Sequence, residues 1–131
     1  MTALYKDRAK ADAAVEMLKI YAQPQRLMIL SCLLEGERTV SEIDAATGIG
    51  QPALSQQLAA LRRKALTRTR RQGTQIFYAL ADEKTALCVR CMEAMLGGQD
   101  EALQLAVPLK EAPAAALHPA GAAAFARVLA R

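Results

Sequence analysis

The feature that most constrains this chain is a glycine-containing turn, Gly48-Ile49-Gly50, between two stretches of helical periodicity. The stretch before it starts after Thr39-Val40 and predicts a short helix with Ser41 as its N-terminal cap. The stretch after it, residues 51–64, carries leucines on one side and polar residues on the other. The apolar positions of the two stretches are Ile43, Ala45, Ala46, Leu54, Leu58 and Leu61. A short helix, a tight turn and a second helix with a polar outer face predict a helix-turn-helix.

The periodicity around this unit predicts the rest of the fold. Three further helices are expected, at Asp7–Tyr21, at Pro24–Leu34 and from Ala81 or Asp82 to Leu96. Residues 66–71 and 74–80 are predicted strands, and Gln72-Gly73 between them is typical of a tight hairpin. The expected fold is mainly α with a small β-hairpin: a winged helix-turn-helix of four helices, two strands and a fifth helix.

Composition divides the chain into two parts. Residues 1–97 contain the predicted elements and are expected to form one winged helix-turn-helix domain, whereas residues 98–131 are an alanine- and proline-rich appendage. No apolar run approaches the roughly 20 residues that span a bilayer, and the start has no signal-peptide core. Three cysteines, an odd number, do not make a disulfide framework. The protein is therefore expected to be soluble and cytoplasmic, with no membrane partner.

The polar side of the helix after the glycine turn carries side chains that can read base edges. These are Gln51, Ala53, Ser55, Gln56 and Gln57. An α-helix fits the major groove of double-stranded DNA, where glutamine can bond adenine, serine can bond several bases and alanine can touch a thymine methyl group. The alternative is a surface helix that these residues merely keep soluble.

A basic run follows this helix. Six of the ten residues from Arg62 to Arg71 are basic, with no acid among them, in a chain of formal net charge +4. Such a run can be a solvated surface. Placed on a hairpin directly after a polar helix, it predicts a wing that lies along the DNA phosphates or reaches into the minor groove. The expected contacts are Arg62, Arg68, Arg70, Arg71, Gln72 and Thr74.

Residues 18–82 resemble the ArsR/SmtB family of winged-helix repressors, nearest its BigR/HlyU/NolR-like branch. The resemblance is carried by Gln25-Arg26-Leu27, by the segment GIGQPALSQQL from Gly48 to Leu58, and by Thr69-Arg70-Arg71 through Tyr78-Ala79-Leu80. It implies a homodimer joined through the first and fifth helices. It also implies an inverted-repeat operator, with two recognition helices in successive major grooves, and repression by occlusion of the promoter.

The ligand sites that this resemblance brings with it are incomplete in this sequence. The corresponding positions are Thr39 and Ser41 for a Cys-x-Cys arsenic site, Asp82, Lys84, Met95 and Gly98 for a zinc site, and Ser31 and Gly97 for a dithiol site. One zinc ligand of four does not hold the metal. Cys32 lies beside the dithiol position, but one residue along a helix rotates a side chain by roughly 100°.

Three cysteines remain as candidate sensors. Cys88 and Cys91 are one helical turn apart on the fifth predicted helix, and Cys32 is the third candidate. Thiolates near a dimer interface suit a soft metal or metalloid ion, and they also react with sulfane sulfur and oxidants. A release signal at Cys88 and Cys91 is one expectation. The alternatives are cysteines that only fill space, and a repressor with no inducer.

An enzyme is not expected. The one histidine, His118, lies in the alanine- and proline-rich segment. The motif Cys88-x-x-Cys91 lies inside a predicted helix, whereas a thioredoxin-like motif starts a helix after a strand. The competing interpretation is a winged-helix module that binds another protein and has no sequence preference for DNA.

Overall fold

The computed structural model describes residues 2–97. The expectations for residues 98–131 lie outside this range, and the domain boundary after residue 97 stays a prediction. Residues 1–89 form one compact unit, and a second unit starts at Arg90, of which the described part is the end of the last helix. Within the described range, no helix is both long enough and apolar enough to cross a membrane.

Five α-helices and a three-stranded sheet make up the described part of the chain. After a short 3-10 helix at Leu4–Lys6, the helices are α1 Arg8–Tyr21, α2 Pro24–Leu33, α3 Val40–Thr47, α4 Ala53–Arg63 and α5 Glu83–Gly97. The strands are β1 Arg38–Thr39, β2 Thr67–Gln72 and β3 Gln75–Leu80. The predicted winged helix-turn-helix is confirmed, with α3 and α4 as the helix pair and β2–β3 as the wing.

The cap of α3 differs from the expectation. The Thr39 hydroxyl accepts a hydrogen bond from the Glu42 N–H, and the Glu42 carboxylate accepts one from the Thr39 N–H. This reciprocal pair satisfies two N–H groups that a helix start otherwise leaves free. The prediction of Ser41 as the cap is wrong, because Ser41 already lies in the first turn. The helix ends at Gly48, whose φ of 69° is the left-handed conformation that glycine adopts without strain.

The sheet has the order β1-β3-β2, and both pairings are antiparallel. Gln72 pairs with Gln75, so Gly73 and Thr74 form the turn rather than the expected Gln72-Gly73. The third strand, β1, is not predicted by the sequence, because two residues are too short to show a period of two. It joins the wing to the start of α3.

The core lies where α2 contacts both α3 and α4. Its fully buried side chains include Ile29, Leu30, Ile43, Leu54, Leu58 and Leu61. Burying each of these stabilises the fold by about 1.5–3 kcal/mol. Of the apolar side expected for α3, Ile43 is buried, but Ala45 and Ala46 are exposed. Because Leu54, Leu58 and Leu61 of α4 face this core, the polar side of α4 faces outward.

Candidate nucleic-acid interface

The outer side of α4 is polar and open to solvent. Ser55, Gln56 and Arg62 are exposed, while Ala53 and Gln57 are half-buried at the flanks of this face. The buried leucines described above lie on the opposite side of the helix. The side chains predicted to read DNA therefore share one helix, but they differ in how freely a partner can reach them.

Gln51 and Ser55 are bonded to each other at the start of α4. The Gln51 Oε1 accepts hydrogen bonds from the Ser55 N–H at 3.2 Å and from its hydroxyl at 2.6 Å. Pro52 stands at the N-cap and makes no side-chain cap, so the Gln51 amide takes over this role. Both side chains are exposed but restrained. Gln56, by contrast, has no side-chain partner in residues 2–97.

Gln57 is held from inside the protein. Its Oε1 accepts a hydrogen bond from Arg26 Nε at 2.9 Å. Arg26, in α2, also donates through Nη1 to the carbonyl oxygen of Ile20 in the last turn of α1, at 3.2 Å. The predicted contact between Gln57 and a base stays a prediction, but its carbonyl oxygen already has a partner.

Five basic side chains at the end of α4 and in the segment that follows are exposed. They are Arg62, Arg63, Lys64, Arg68 and Arg71. None of them forms an ion pair with another residue in the described range. Arg62 and Arg63 also lie where the α4 dipole favours positive charge. Because no carboxylate in residues 2–97 neutralises the five, their charge is available to a polyanion.

Arg70 differs from these five because its guanidinium group already has partners within the protein. Its Nε and Nη2 both lie 2.8 Å from Glu37 Oε2, and its Nη1 donates to Gln72 Oε1 at 2.8 Å. The guanidinium also stacks over the ring of Phe77, with 4.7 Å between its carbon and the ring centre. Arg70 thus fastens the wing to the loop before β1, and Glu37 offsets its charge.

A groove of about 460 Å³ runs between α4 and the wing. Ser55, Arg62 and Arg63 line it from α4, and Tyr78 lines it from β3. Arg63 and Tyr78 are not among the predicted contacts. Arg63 belongs to the basic run, so charge alone would have found it, whereas Tyr78 is recognised only from the packing of the wing against α4.

The two faces of the wing carry different arginines. Tyr78 lies opposite Thr69 in the sheet register, so both project from the side of the wing that borders the groove. Arg71, two residues after Thr69, projects from that same side. Arg68 and Arg70 project from the other side, where Glu37 lies.

All three cysteines are free thiols and half-buried. Burial raises the pKa of Cys32, against the opposing influence of Arg38. This makes Cys32 a weaker nucleophile at neutral pH. No cluster of three or more His, Cys, Asp or Glu side chains in the described range is placed to hold a metal ion. The assignment of Cys32, Cys88 and Cys91 as thiol sensors stays a prediction.

Tyr21 joins the end of α1 to α5. It is 4% exposed, and its phenol lies beside the side chains of Cys88 and Thr85. Burial, reinforced by Cys88 and Asp82, raises the pKa of Tyr21 to about 12. The phenol is therefore neutral at physiological pH.

A helix-turn-helix with a polar outer face, followed by a basic hairpin, defines a winged helix-turn-helix DNA-binding protein. The family described as "Bacterial regulatory protein, arsR family" matches residues 23–65. The chain is 40% identical over 92 residues to the biofilm growth-associated repressor of Xylella fastidiosa strain 9a5c, covering 70% of this chain and 81% of that protein. It therefore belongs to the ArsR family and is a DNA-binding transcriptional regulator.

Two further relatives agree with this assignment. The chain is 37% identical over 90 residues to the transcriptional activator HlyU of Vibrio cholerae, covering 69% of this chain and 81% of that protein. A solved homodimeric winged helix-turn-helix DNA-binding domain from Mycobacterium bovis, described as a possible ArsR-family transcriptional regulator, superposes with a TM-score of 0.60. That similarity has 30% identity and covers 84% of this chain and 97% of the other. The predicted fold and family are confirmed.

Proposed function

We propose that two copies of this chain form a repressor of an inverted-repeat operator, with α4 of each copy in a major groove. The observation that carries the proposal is the placement of α4. Its buried leucines fix its orientation with the polar face outward, and the end of α4 and the wing carry five exposed cations that have no ion-pair partner in residues 2–97. Such a surface combines side chains that read bases with charge that binds phosphates.

Base reading falls mainly to Gln56. Its amide is exposed and has no side-chain partner in the described range, so it can bond an adenine edge bidentately. Gln51 and Ser55 contribute as a bonded pair, which presents their remaining donors in a restrained geometry. Ala53 is half-buried and offers only its methyl group to a thymine.

Phosphate binding falls mainly to the cations around the groove. Arg62 lines it from α4, and Arg71 projects from the wing side that faces it. Arg68 supplies free charge on the other side of the wing, while Thr74 and Gln72 stand at the tip. Arg70 reaches a phosphate only if it shares or releases Glu37, so we assign it first to wing position.

We place the dimer interface on α1 and α5. Val15 and Leu18, one turn apart on α1, are 49% and 58% exposed, and Leu87 on α5 is 55% exposed. Apolar side chains of this size gain free energy when a second copy covers them. The homodimeric relative from Mycobacterium bovis supports a dimer, and the exposed apolar side chains are the reason for placing its interface on α1 and α5. A two-fold axis then places two α4 helices about 10 base pairs apart on one face of the DNA.

Repression is proposed from the name of the Xylella relative, while HlyU carries the name of an activator. Footprinting of the DNA upstream of the gene, followed by transcription in vitro from the same template, tests the function and its direction. We expect two protected half-sites about 10 base pairs apart and fewer transcripts as protein is added. Protection without a repeat, or more transcripts, would contradict the dimeric repressor.

Release from DNA by a thiol-reactive signal is the finer part of the proposal. Cys88 and Cys91 lie one turn apart on α5, and Cys88 lies against Tyr21 of α1. Modification of Cys88 would strain that contact near the proposed interface. We expect one reagent from a panel of As(III), Sb(III), Cu(I), Hg(II), sulfane sulfur and peroxide to release DNA. A protein with serine at both positions should stay bound, and release of that variant too would rule out these thiols.

A further inference from the structure

In the described part of the chain, the hydrogen bonds of the Arg26 side chain connect α2 to both α1 and α4. Arg26 belongs to α2, donates to Gln57 of α4 at 2.9 Å and donates to the Ile20 carbonyl of α1 at 3.2 Å. Its own N–H donates to the Gln23 side chain at 2.8 Å, which caps α2. No carboxylate in residues 2–97 pairs with it. The planar guanidinium suits this task because its donors are held at fixed angles.

The acceptor on α1 helps to explain why a cationic side chain stands at position 26. Ile20 lies in the last turn of α1, where carbonyl oxygens have no partner inside the helix. A cation at this end is favoured by the helix dipole. The same side chain therefore satisfies the end of α1 and reaches the middle of α4.

The acceptor on α4 lies next to the residue that we expect to read a base. Gln57 is half-buried and adjacent to the exposed Gln56. A helix with its side chains is about 10–12 Å across, so a rotation of about 20° moves an outer side-chain tip by roughly 2 Å. Productive contacts need positioning within about 0.5 Å. The buried leucines set which side of α4 faces the core, and the directed hydrogen bond to Gln57 adds a second, sharper constraint on the rotation of the helix.

We propose that Arg26 is a positioning residue that fixes the rotation of α4 relative to α1. Through Gln57 it aligns the reading face of α4 with the helix that joins the two copies, without itself touching DNA. This inference rests on the proposed function. It makes operator recognition depend on a half-buried contact between two helices in addition to the exposed side chains.

The test compares Arg26→Met, Gln57→Met and the double variant on operator and scrambled duplexes. Each single variant should lower operator affinity about tenfold, keep affinity for scrambled DNA within about twofold and leave the salt slope unchanged. The double variant should lose no more than either single one, because both remove the same bond. Gln57→Glu keeps the acceptor and should restore the ratio of operator to scrambled affinity.

Arg38→Met is the matched control. Arg38 is also half-buried and bonds a backbone carbonyl, that of Cys32, but it makes no hydrogen bond to α4. It should leave the affinity ratio unchanged. Where Arg26→Met does not fold, Gln57→Met decides alone, since it preserves the bond between Arg26 and Ile20.

Three outcomes would overturn the inference. Arg26→Met could lower the salt slope by about one and weaken both duplexes equally, which would make Arg26 a phosphate contact. The two single losses could multiply in the double variant, or neither single variant could change the affinity ratio. A wild-type protein that does not prefer the operator would instead contradict the proposed function itself.

Discussion

Arg70 of the wing and Glu37 of the loop before β1 form an ion pair in which two guanidinium nitrogens lie 2.8 Å from one carboxylate oxygen. Both side chains are half-exposed, at 50% and 40%. The wing is therefore tied to the body of the domain by an acid that also reduces its positive potential. The pair has consequences for how tightly the protein binds DNA of any sequence.

Replacement of Glu37 by glutamine should strengthen DNA binding. The change frees the charge of Arg70, so affinity for scrambled DNA should rise about three- to tenfold at low salt, with a steeper salt dependence. Anisotropy titrations at several salt concentrations measure both quantities. Glu35→Gln is the matched control. This substitution removes the same charge, but Glu35 pairs with Arg38 rather than with a wing residue. Equal effects of the two variants would show that net charge, not the wing pair, is responsible.

Replacement of Gln56 by alanine should weaken operator binding about tenfold and leave scrambled DNA unaffected. The reason is that an amide contact with a base carries sequence information, and each such contact contributes about 1–3 kcal/mol of discrimination. Arg71→Ala is the contrasting variant, since it should weaken binding to both duplexes and lower the salt slope by about one. Interchanged behaviour of the two variants would mean that helix and wing have been assigned the wrong roles.

Replacement of Leu18 by glutamate should dissociate the dimer. A charge in the middle of the proposed apolar interface has no partner there, so burying it is costly. Sedimentation should show a monomer, and operator affinity should fall at least about a hundredfold, because one half-site remains. Met28→Glu is the control: Met28 is 45% exposed but borders α3 rather than the exposed face of α1. A Leu18→Glu protein that stays dimeric would show that the dimer interface lies elsewhere.

Tyr21 should make folding sensitive to alkaline pH. Its pKa is about 12 in the folded protein against an ordinary value of 10.0, so the unfolded chain loses the proton first. The stabilisation is complete below pH 10 and is lost as pH rises through 12, amounting to roughly 2 kcal/mol. Urea unfolding between pH 9 and 11.5 should show a steeper decline for the wild type than for Tyr21→Phe. Tyr5→Phe, at an exposed tyrosine, should retain the wild-type slope. Identical slopes for all three proteins would contradict the raised pKa of the buried Tyr21.

The elements with a repeating pattern could be predicted from the sequence. Leu54, Leu58 and Leu61 recur at helical spacing, and six of the ten residues from Arg62 to Arg71 are basic with no acid among them. These patterns predict the helix, the wing and the family. The predicted cap of α3, Ser41, lies two residues after the observed cap, Thr39. Ser41 and Thr39 are both suitable caps, and only Thr39 stands three residues before Glu42.

The contacts that distinguish similar residues could not be predicted. Gln56 and Gln57 are adjacent and chemically identical, yet one is free and the other is held by Arg26, 31 residues away in sequence. Arg70 and Arg71 differ in the same way, because alternate strand positions face opposite sides of the wing and only one side has Glu37. Such differences depend on the tertiary arrangement, so a local sequence pattern does not predict them.

The most direct test is an anisotropy titration of the wild-type protein on the footprinted operator and on a scrambled duplex of equal length. The titration is repeated at salt concentrations from about 50 to about 300 mM, a range in which phosphate contacts weaken strongly. We predict that the operator is bound at least about a thousandfold more tightly, and that affinity for both duplexes falls with salt. Equal affinity for the two duplexes, or no binding to either, would contradict the claim that this protein is a sequence-specific repressor.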